Sequence, residues 1–306
     1  MVSHHLFNWN LERAHESQHF KVGNESVETD PSTESGDTEK SPNQVAAETN
    51  SPVMIECRNL TKKFGELVAV NDLGLTVHAG ELFGFLGPNG AGKTTTIKMM
   101  TGLLRPTTGT AIIGGHDIQI EPIPAKRIFG YIPDNPFLYE KLTGREFLHF
   151  MADLYSVHTS ERARRMDDLL RLFELYEKGN DLIQGYSRGM RQKIALAGAL
   201  IHSPKVIFLD EPTVGLDPKS ARMMKDILRE LCRRGTAVFV STHILEIAER
   251  MCDRVAIINK GSLIASGTLD ELRELAAGSS SSLEDIFLEL TGASEEEDLF
   301  RYLGEI

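Results

Sequence analysis

No stretch of this 306-residue chain reaches the roughly 18 consecutive apolar residues that crossing a bilayer takes, so no segment is expected to span a membrane by itself. The opening residues, MVSHHLFNWNLERAH, lack the apolar core of a signal peptide. Cysteine is scarce. Cys57, Cys232 and Cys252 are an odd number without the spacing of metal ligands, which points to reduced thiols in a cytosolic chain and gives none of them a catalytic role. Positive charge is also short: 33 basic residues against 44 acidic ones leave a net charge of -11, which sets up no field that would draw nucleic acid or an anionic membrane to the whole surface. His4, His5, His15 and His19 lie among residues poor in other ligands, so they are not read as a metal site.

What the chain does contain is enough length for a full-sized core, divided unevenly. Residues 21–52 are rich in Glu, Ser, Thr, Asn and Pro and offer almost nothing to bury, so residues 1–52 are expected to form a disordered polar arm. A folded unit is expected over 53–277. Short strand signals at VMIECRNL, LGLTVHAG and ELFGFLG open it as a small N-terminal antiparallel β part, and the last of them runs into GPNGAGKTTTIKMMTGLL, whose later half has helical spacing. From about Phe137 to Leu200 the pattern turns mostly helical, opened by LTGREF, where Thr143 and Glu146 can form a capping box. Strands resume at KVIFLD and TAVFVST around a crossover helix in PKSARMMKDILRELCRRG, and RVAIINKG with SLIASGT reads as a hairpin. The economical architecture is an α/β fold, a central sheet with an inserted helical unit. The Ser run within 278–282 is expected to be a flexible joint before LEDIFLELTG, whose Leu283, Ile286, Phe287 and Leu290 share one face expected to dock on the chain's own domain.

The chemistry sits at strand ends. GPNGAGKT, residues 87–94, fits the phosphate-loop pattern of Gly, four free positions, Gly-Lys and a hydroxyl residue. Its glycines Gly87, Gly90 and Gly92 let backbone N–H groups turn inward between Pro88, Asn89 and Ala91. Lys93 can reach terminal phosphates, Thr94 can ligate Mg²⁺, and Thr95 follows at the head of the helix. Such a site needs an acid beside the metal, and VIFLDEP supplies Asp210 after four apolar residues, with Glu211 placed to polarise an attacking water. His243, in FVSTHIL, reads either as a core histidine or as a contact to the same phosphate. Another stretch, QGYSRGMRQK, holds Ser187 and Gly189 at a helix start, which is either an ordinary turn or a second anion nest.

With those motifs in this order, residues 53–270 resemble the ATP-binding subunits of ABC transporters, a P-loop NTPase fold. The resemblance implies that Phe64 in LTKKFG stacks on adenine, a residue that the sequence alone would place in the core or a hairpin. Tyr186, Ser187, Arg188, Gly189 and Met190 stand where the family commonly has Leu-Ser-Gly-Gly-Gln, so by resemblance the nest serves the terminal phosphate of ATP held by a second subunit. Asp217 resembles the acid that links the two sites, and His243 matches the switch histidine. Two positions depart from the pattern. Asp134, in GYIPDNP, stands where many members have Gln; a carboxylate cannot donate the amide hydrogen bond, although it can hold a metal-bound water. Arg188 replaces the first signature Gly and adds a long charged group beside the nest.

The resemblance implies a Mg²⁺-dependent ATPase using ATP, with Glu211, His243 and Lys93 catalytic and Thr94, Asp210 and Asp134 at the metal. It would work as a homodimer or heterodimer on a separate integral membrane permease, peripheral to the cytoplasmic face of a bacterial cell membrane. The tail LEDIFLELTG and the form YSRGMRQK resemble the branch with ABC-2 type export permeases. A soluble nucleic-acid- or ribosome-associated ATPase of the same superfamily is the alternative; its usual second nucleotide domain or long helical insertion is absent, and no nucleic-acid partner is expected. A nucleotide-binding regulator without turnover is disfavoured because Lys93, Thr94, Asp210, Glu211 and His243 are all present.

Overall fold

The computed structural model describes residues 51–275 and 282–291. The arm expected over 1–52, apart from its last two residues, and all but the last residue of the 278–282 joint lie outside the described residues.

Two sheets organise the chain. Strands β1 (Val53–Phe64), β2 (Leu67–His78), β4 (Thr108–Ile113) and β5 (His116–Asp117) form an antiparallel sheet in the order β2-β1-β4-β5. The second sheet runs β10-β9-β3-β8-β7-β6, with β3 (Leu82–Leu86), β6 (Phe129–Ile132), β7 (Val206–Asp210), β8 (Ala237–Thr242) and β9 (Arg254–Asn259) parallel, and β10 (Ser262–Gly267) antiparallel at the edge. Residues on β3, β7 and β8 are buried throughout, as a parallel sheet covered on both faces requires.

The period-two pleat of these strands divides the interior into two cores. Phe83, Phe85, Val206, Phe208, Ala237 and Phe239 join the core shared with the antiparallel sheet and with helix α1 (Lys93–Met100). Leu82, Leu86, Ile207, Leu209, Val238 and Val240 face the other way, into a core built with helices. Those helices are α3 (Gly144–Leu154), α4 (Thr159–Leu172), α5 (Arg188–Leu200), α6 (Pro218–Arg233), α7 (Leu245–Met251), α8 (Leu269–Leu275) and α9 (Leu283–Thr291). In the helical unit α3 and α5 approach closely at Gly198, where an added Cβ would lie 2.7 Å from the Phe147 ring. The capping box is formed at the head of α3: Glu146 N–H donates to Thr143 Oγ1 (3.2 Å) and Thr143 N–H to Glu146 Oε2 (2.8 Å).

The C-terminal helix docks as its pattern indicates. Leu283 and Ile286 are buried in the helical core, Phe287 and Leu290 pack against it, and α9 lies on α7 and α8. Three features escape the sequence reading. β1 continues through Phe64, because its partners Leu67, Val68 and Val70 extend the pairing past the VMIECRNL signal. Helix α2 (Pro122–Arg127) starts with Pro at its first turn and buries only Ala125. Helix α7 buries only Ala248 and Met251, too few apolar positions to show a period.

At the end of α5, His202 stacks on Tyr155 with ring centroids 3.7 Å apart, and its Nε2–H donates to the Phe129 carbonyl of β6 (3.2 Å). Its Nδ1 is buried with no hydrogen-bond partner. Burial pushes its pKa down to about 4, against the opposing Phe129 hydrogen bond and with help from the Arg165 charge. The unfolded chain would take up this proton near pH 6.5 and the folded chain only near 4. The stability this contributes is therefore present above about pH 6.5 and lost as pH falls towards 4, by roughly 3 kcal/mol. His202→Gln should flatten that part of the stability profile, read from urea midpoints across the window in both proteins.

Candidate active site

The strand order fixes what can meet. Strand β8 lies between β3 and β7, with Thr242 beside Leu86 and Ser241 beside Asp210, so the segments leaving the carboxyl ends of all three strands are neighbours. The loop after β3 turns through Gly92, whose φ of 108° and whose Cβ position, 2.5 Å from the Ala69 carbonyl, exclude any other residue. Helix α1 then starts at Lys93 with no side-chain cap, which leaves its first N–H groups for an anion.

Lys93 is 6% exposed. Its ammonium donates to the Gly87 carbonyl (2.7 Å) and the Pro88 carbonyl (3.2 Å), and lies 3.7 Å from Glu211 Oε1. Burial pulls its pKa below the usual lysine value, while the Glu211 and Asp210 charges and the Glu211 hydrogen bond oppose the shift. Asp210 is buried at the end of β7; Thr94 Oγ1 donates to its Oδ2 (2.8 Å) and Ser241 Oγ to its Oδ1. Glu211 follows with a φ of 51°, a left-handed backbone that costs a non-glycine residue on the order of 1 kcal/mol. His243 Nδ1 meets Glu211 Oε1 at 2.8 Å, and Thr242 Oγ1 donates to Oε2 at 3.2 Å.

Lys93, Thr94, Asp210 and Glu211 border a cleft of about 570 Å³. Phe64, Leu67 and Val68 give it an apolar part, and Pro88, Asn89, Gly90, Gly92, Lys93, Thr94, Thr95, Asp134, Asp210 and Glu211 give it a polar part. Phe64 is half exposed, with the Lys62 ammonium 5.0 Å from its ring centroid. Gly87 and Ala91 are buried behind this lining, and His243 joins it through Glu211. Ser187 and Gly189 are not brought to this cleft. Ser187 Oγ caps α5 by accepting from Met190 N–H (3.3 Å), held by Tyr186, whose hydroxyl donates to the Lys178 carbonyl (2.6 Å). Asp217 caps α6 by accepting from Ser220. Arg188, which the sequence places beside the nest, instead folds back towards Asp134, with nitrogen and oxygen 3.7 Å apart.

The oxygen donors fit Mg²⁺. A threonine hydroxyl and a carboxylate 2.8 Å apart are hard ligands, and among the described residues no cluster of three or more His, Cys, Asp or Glu would hold a metal without help from phosphate or water. Ser241 and Thr242 were missed in the sequence as orienters of the two carboxylates. The alternation of AVFVST beside VIFLD carries the signal, since the register sets Ser241 against Asp210.

Residues 70–214 match the ABC transporter family model. An uncharacterised ABC transporter ATP-binding protein of Bacillus subtilis, YhcH, is 45% identical over 212 residues, covering 69% of this chain and 68% of that protein. The chain belongs to the ABC transporter ATP-binding proteins. The Nod factor export ATP-binding protein I of Burkholderia lata is 39% identical over 224 residues, covering 73% of this chain and 74% of that protein. The ATP-binding cassette MJ0796, solved as a dimer in a post-hydrolysis state bound to ADP and Pi, superposes with a TM-score of 0.65 at 27% identity, covering 71% of this chain and 99% of that one. This family member is thus an ATP-binding and ATP-hydrolysing subunit with the expected cassette fold.

The orienting role of Ser241 is open to test. Ser241→Ala removes one donor from a buried carboxylate and should lower stability by about 1–3 kcal/mol. Denaturant unfolding of the nucleotide-free chain measures the loss.

Proposed function

We propose that two copies of this chain, or this chain and a close relative, close on Mg·ATP and drive a separate membrane permease in export. The observation that carries the reading is the meeting of Lys93, Asp210, Glu211 and His243 at three adjacent strand ends. The phosphate chain lies on the Gly87–Thr94 loop and the head of α1, with Lys93 on its terminal groups and the base against Phe64. Thr94, Asp210 and Asp134 are the residues that would hold Mg²⁺, and the ion bound there would neutralise charge developing on the phosphates.

Glu211 accepts the proton of the attacking water. His243 and Thr242 hold the carboxylate in place through its two oxygens, and the Lys93 ammonium lies 3.7 Å from one of them. Ser187 and Gly189, which take no part in their own chain's cleft, serve the partner's terminal phosphate. A two-fold axis makes two such composite sites from one surface.

A second apolar surface fits the permease. Phe137 is 93% exposed, and Tyr139 and Phe150 pack edge to face (5.2 Å) over a groove of about 490 Å³ that also takes in Leu138 and Leu142. The patch starts three residues after Asp134, so a partner seated there would push on a segment of the nucleotide cleft. The names of relatives such as the Nod factor export protein supply the direction. The substrate stays with the permease.

Two experiments test this. Glu211→Gln keeps the shape of the side chain and loses the proton acceptor, so ATP binding should persist while turnover falls by about 10²–10⁴. The variant should collect as an ATP-bound dimer on size exclusion; wild-type turnover would remove Glu211 from its role. Phe137→Asp with Tyr139→Asp should release the chain from membranes that carry its permease, followed by flotation. Neither side chain lines the cleft, so ATPase in solution, without the permease, should stay within about twofold of wild type.

A further inference from the structure

We infer that Arg188 is a positioning residue of the nucleotide site: one guanidinium joins the head of α5 to Asp134 and to the 213–217 loop. The inference rests on the reading of the cleft as a Mg·ATP site. Arg188 is the first residue of α5, directly after the Ser187 cap. Its side chain stays largely exposed but lies along the protein rather than pointing straight out. It crosses Gly215, where an ideal Cβ would lie 2.7 Å from Cζ and Nε, and ends 3.7 Å from Asp134 Oδ1. Gly215 also has a φ of 75°, so glycine alone meets both the turn and the close approach.

Three segments far apart in sequence therefore meet on one side chain: the turn after β6, the loop between Glu211 and α6, and the start of α5. Each borders the chemistry. Asp134 lines the nucleotide cleft, the loop joins Glu211 to the Asp217 cap, and Ser187 adjoins Arg188. The contact has a second anchor, because Glu174 accepts from Lys193 of α5 (3.4 Å) and from Lys219 of α6 (2.7 Å).

The two positions that depart from the family pattern are thus partners. With side chains 62% and 53% exposed, the Arg188–Asp134 pair is screened by solvent and adds little to stability. Its effect is directional. The cation holds the Asp134 carboxylate towards α5, in competition with any cation in the cleft, and movement of α5 therefore changes what Asp134 can reach.

The test is a mutant cycle on the full chain, using equilibrium binding of a fluorescent ATP analogue at increasing Mg²⁺. Arg188→Ala frees Asp134 and should lower the Mg²⁺ concentration for half-saturation by about threefold, within the range of an exposed ion pair. In an Asp134→Asn background the same change should have no effect. Arg188→Lys keeps the charge without the planar fork and should fall between wild type and Ala. Hydrogen exchange of the nucleotide-free protein supplies a readout independent of metal: residues 213–217 should exchange faster in Arg188→Ala. Equal half-saturation and equal exchange in wild type and Arg188→Ala would overturn the inference, as would an identical shift in the Asn background. Failure of the wild-type chain to bind the analogue would instead count against the nucleotide-site reading, and the exchange measurement would still decide the role of Arg188.

Discussion

A carboxylate sealed from water must find its donors within the protein, and Asp210 finds them on two other segments. Thr94 lies 116 residues before it and Ser241 31 residues after it. Both bonds exist only because β8 separates β3 from β7 and because the pairing sets Ser241 beside Asp210. The phosphate loop, the first turn of α1 and the end of β8 thereby acquire one common reference point. A shift of one residue in the β7–β8 register would turn Ser241 to the other face and leave the carboxylate short of a partner.

The electrostatics of the cleft follow from this anchoring. Lys93 is buried, yet its ammonium divides its donors between two loop carbonyls and faces Glu211. Desolvation works against its charge and two carboxylates work for it. An arriving phosphate offers that ammonium a stronger acceptor than either carbonyl. Binding and the placement of Glu211 are coupled through a single group, since withdrawing Lys93 towards phosphate changes the field at the Glu211 carboxylate.

The polar chemistry of the fold was largely legible in the sequence, because local patterns carry it. GPNGAGKT needs only its own eight residues to declare a phosphate loop, and VIFLDEP sets its acids after a buried strand. Thr143 and Glu146 announce a helix start at a spacing that nothing else requires. Contacts made by long-range register were not legible. Ser241 reads as an ordinary strand residue until the sheet order sets it against Asp210, and Arg188 reads as a surface cation until Gly215 clears its path. Helix α7 was missed for a different reason: with only Ala248 and Met251 buried, its packing leaves no hydrophobic period to find.

The thiols offer a practical consequence. Cys57, Cys232 and Cys252 are all free and buried, and burial pushes each pKa up to about 12. Reaction with alkylating dyes needs the thiolate, which is vanishingly scarce at neutral pH for such groups. The native chain therefore has the makings of a quiet background for labelling. A single cysteine introduced on α5, paired with one on the Asp134 turn, could carry a fluorophore and quencher without first stripping the three natural thiols from the cores they fill.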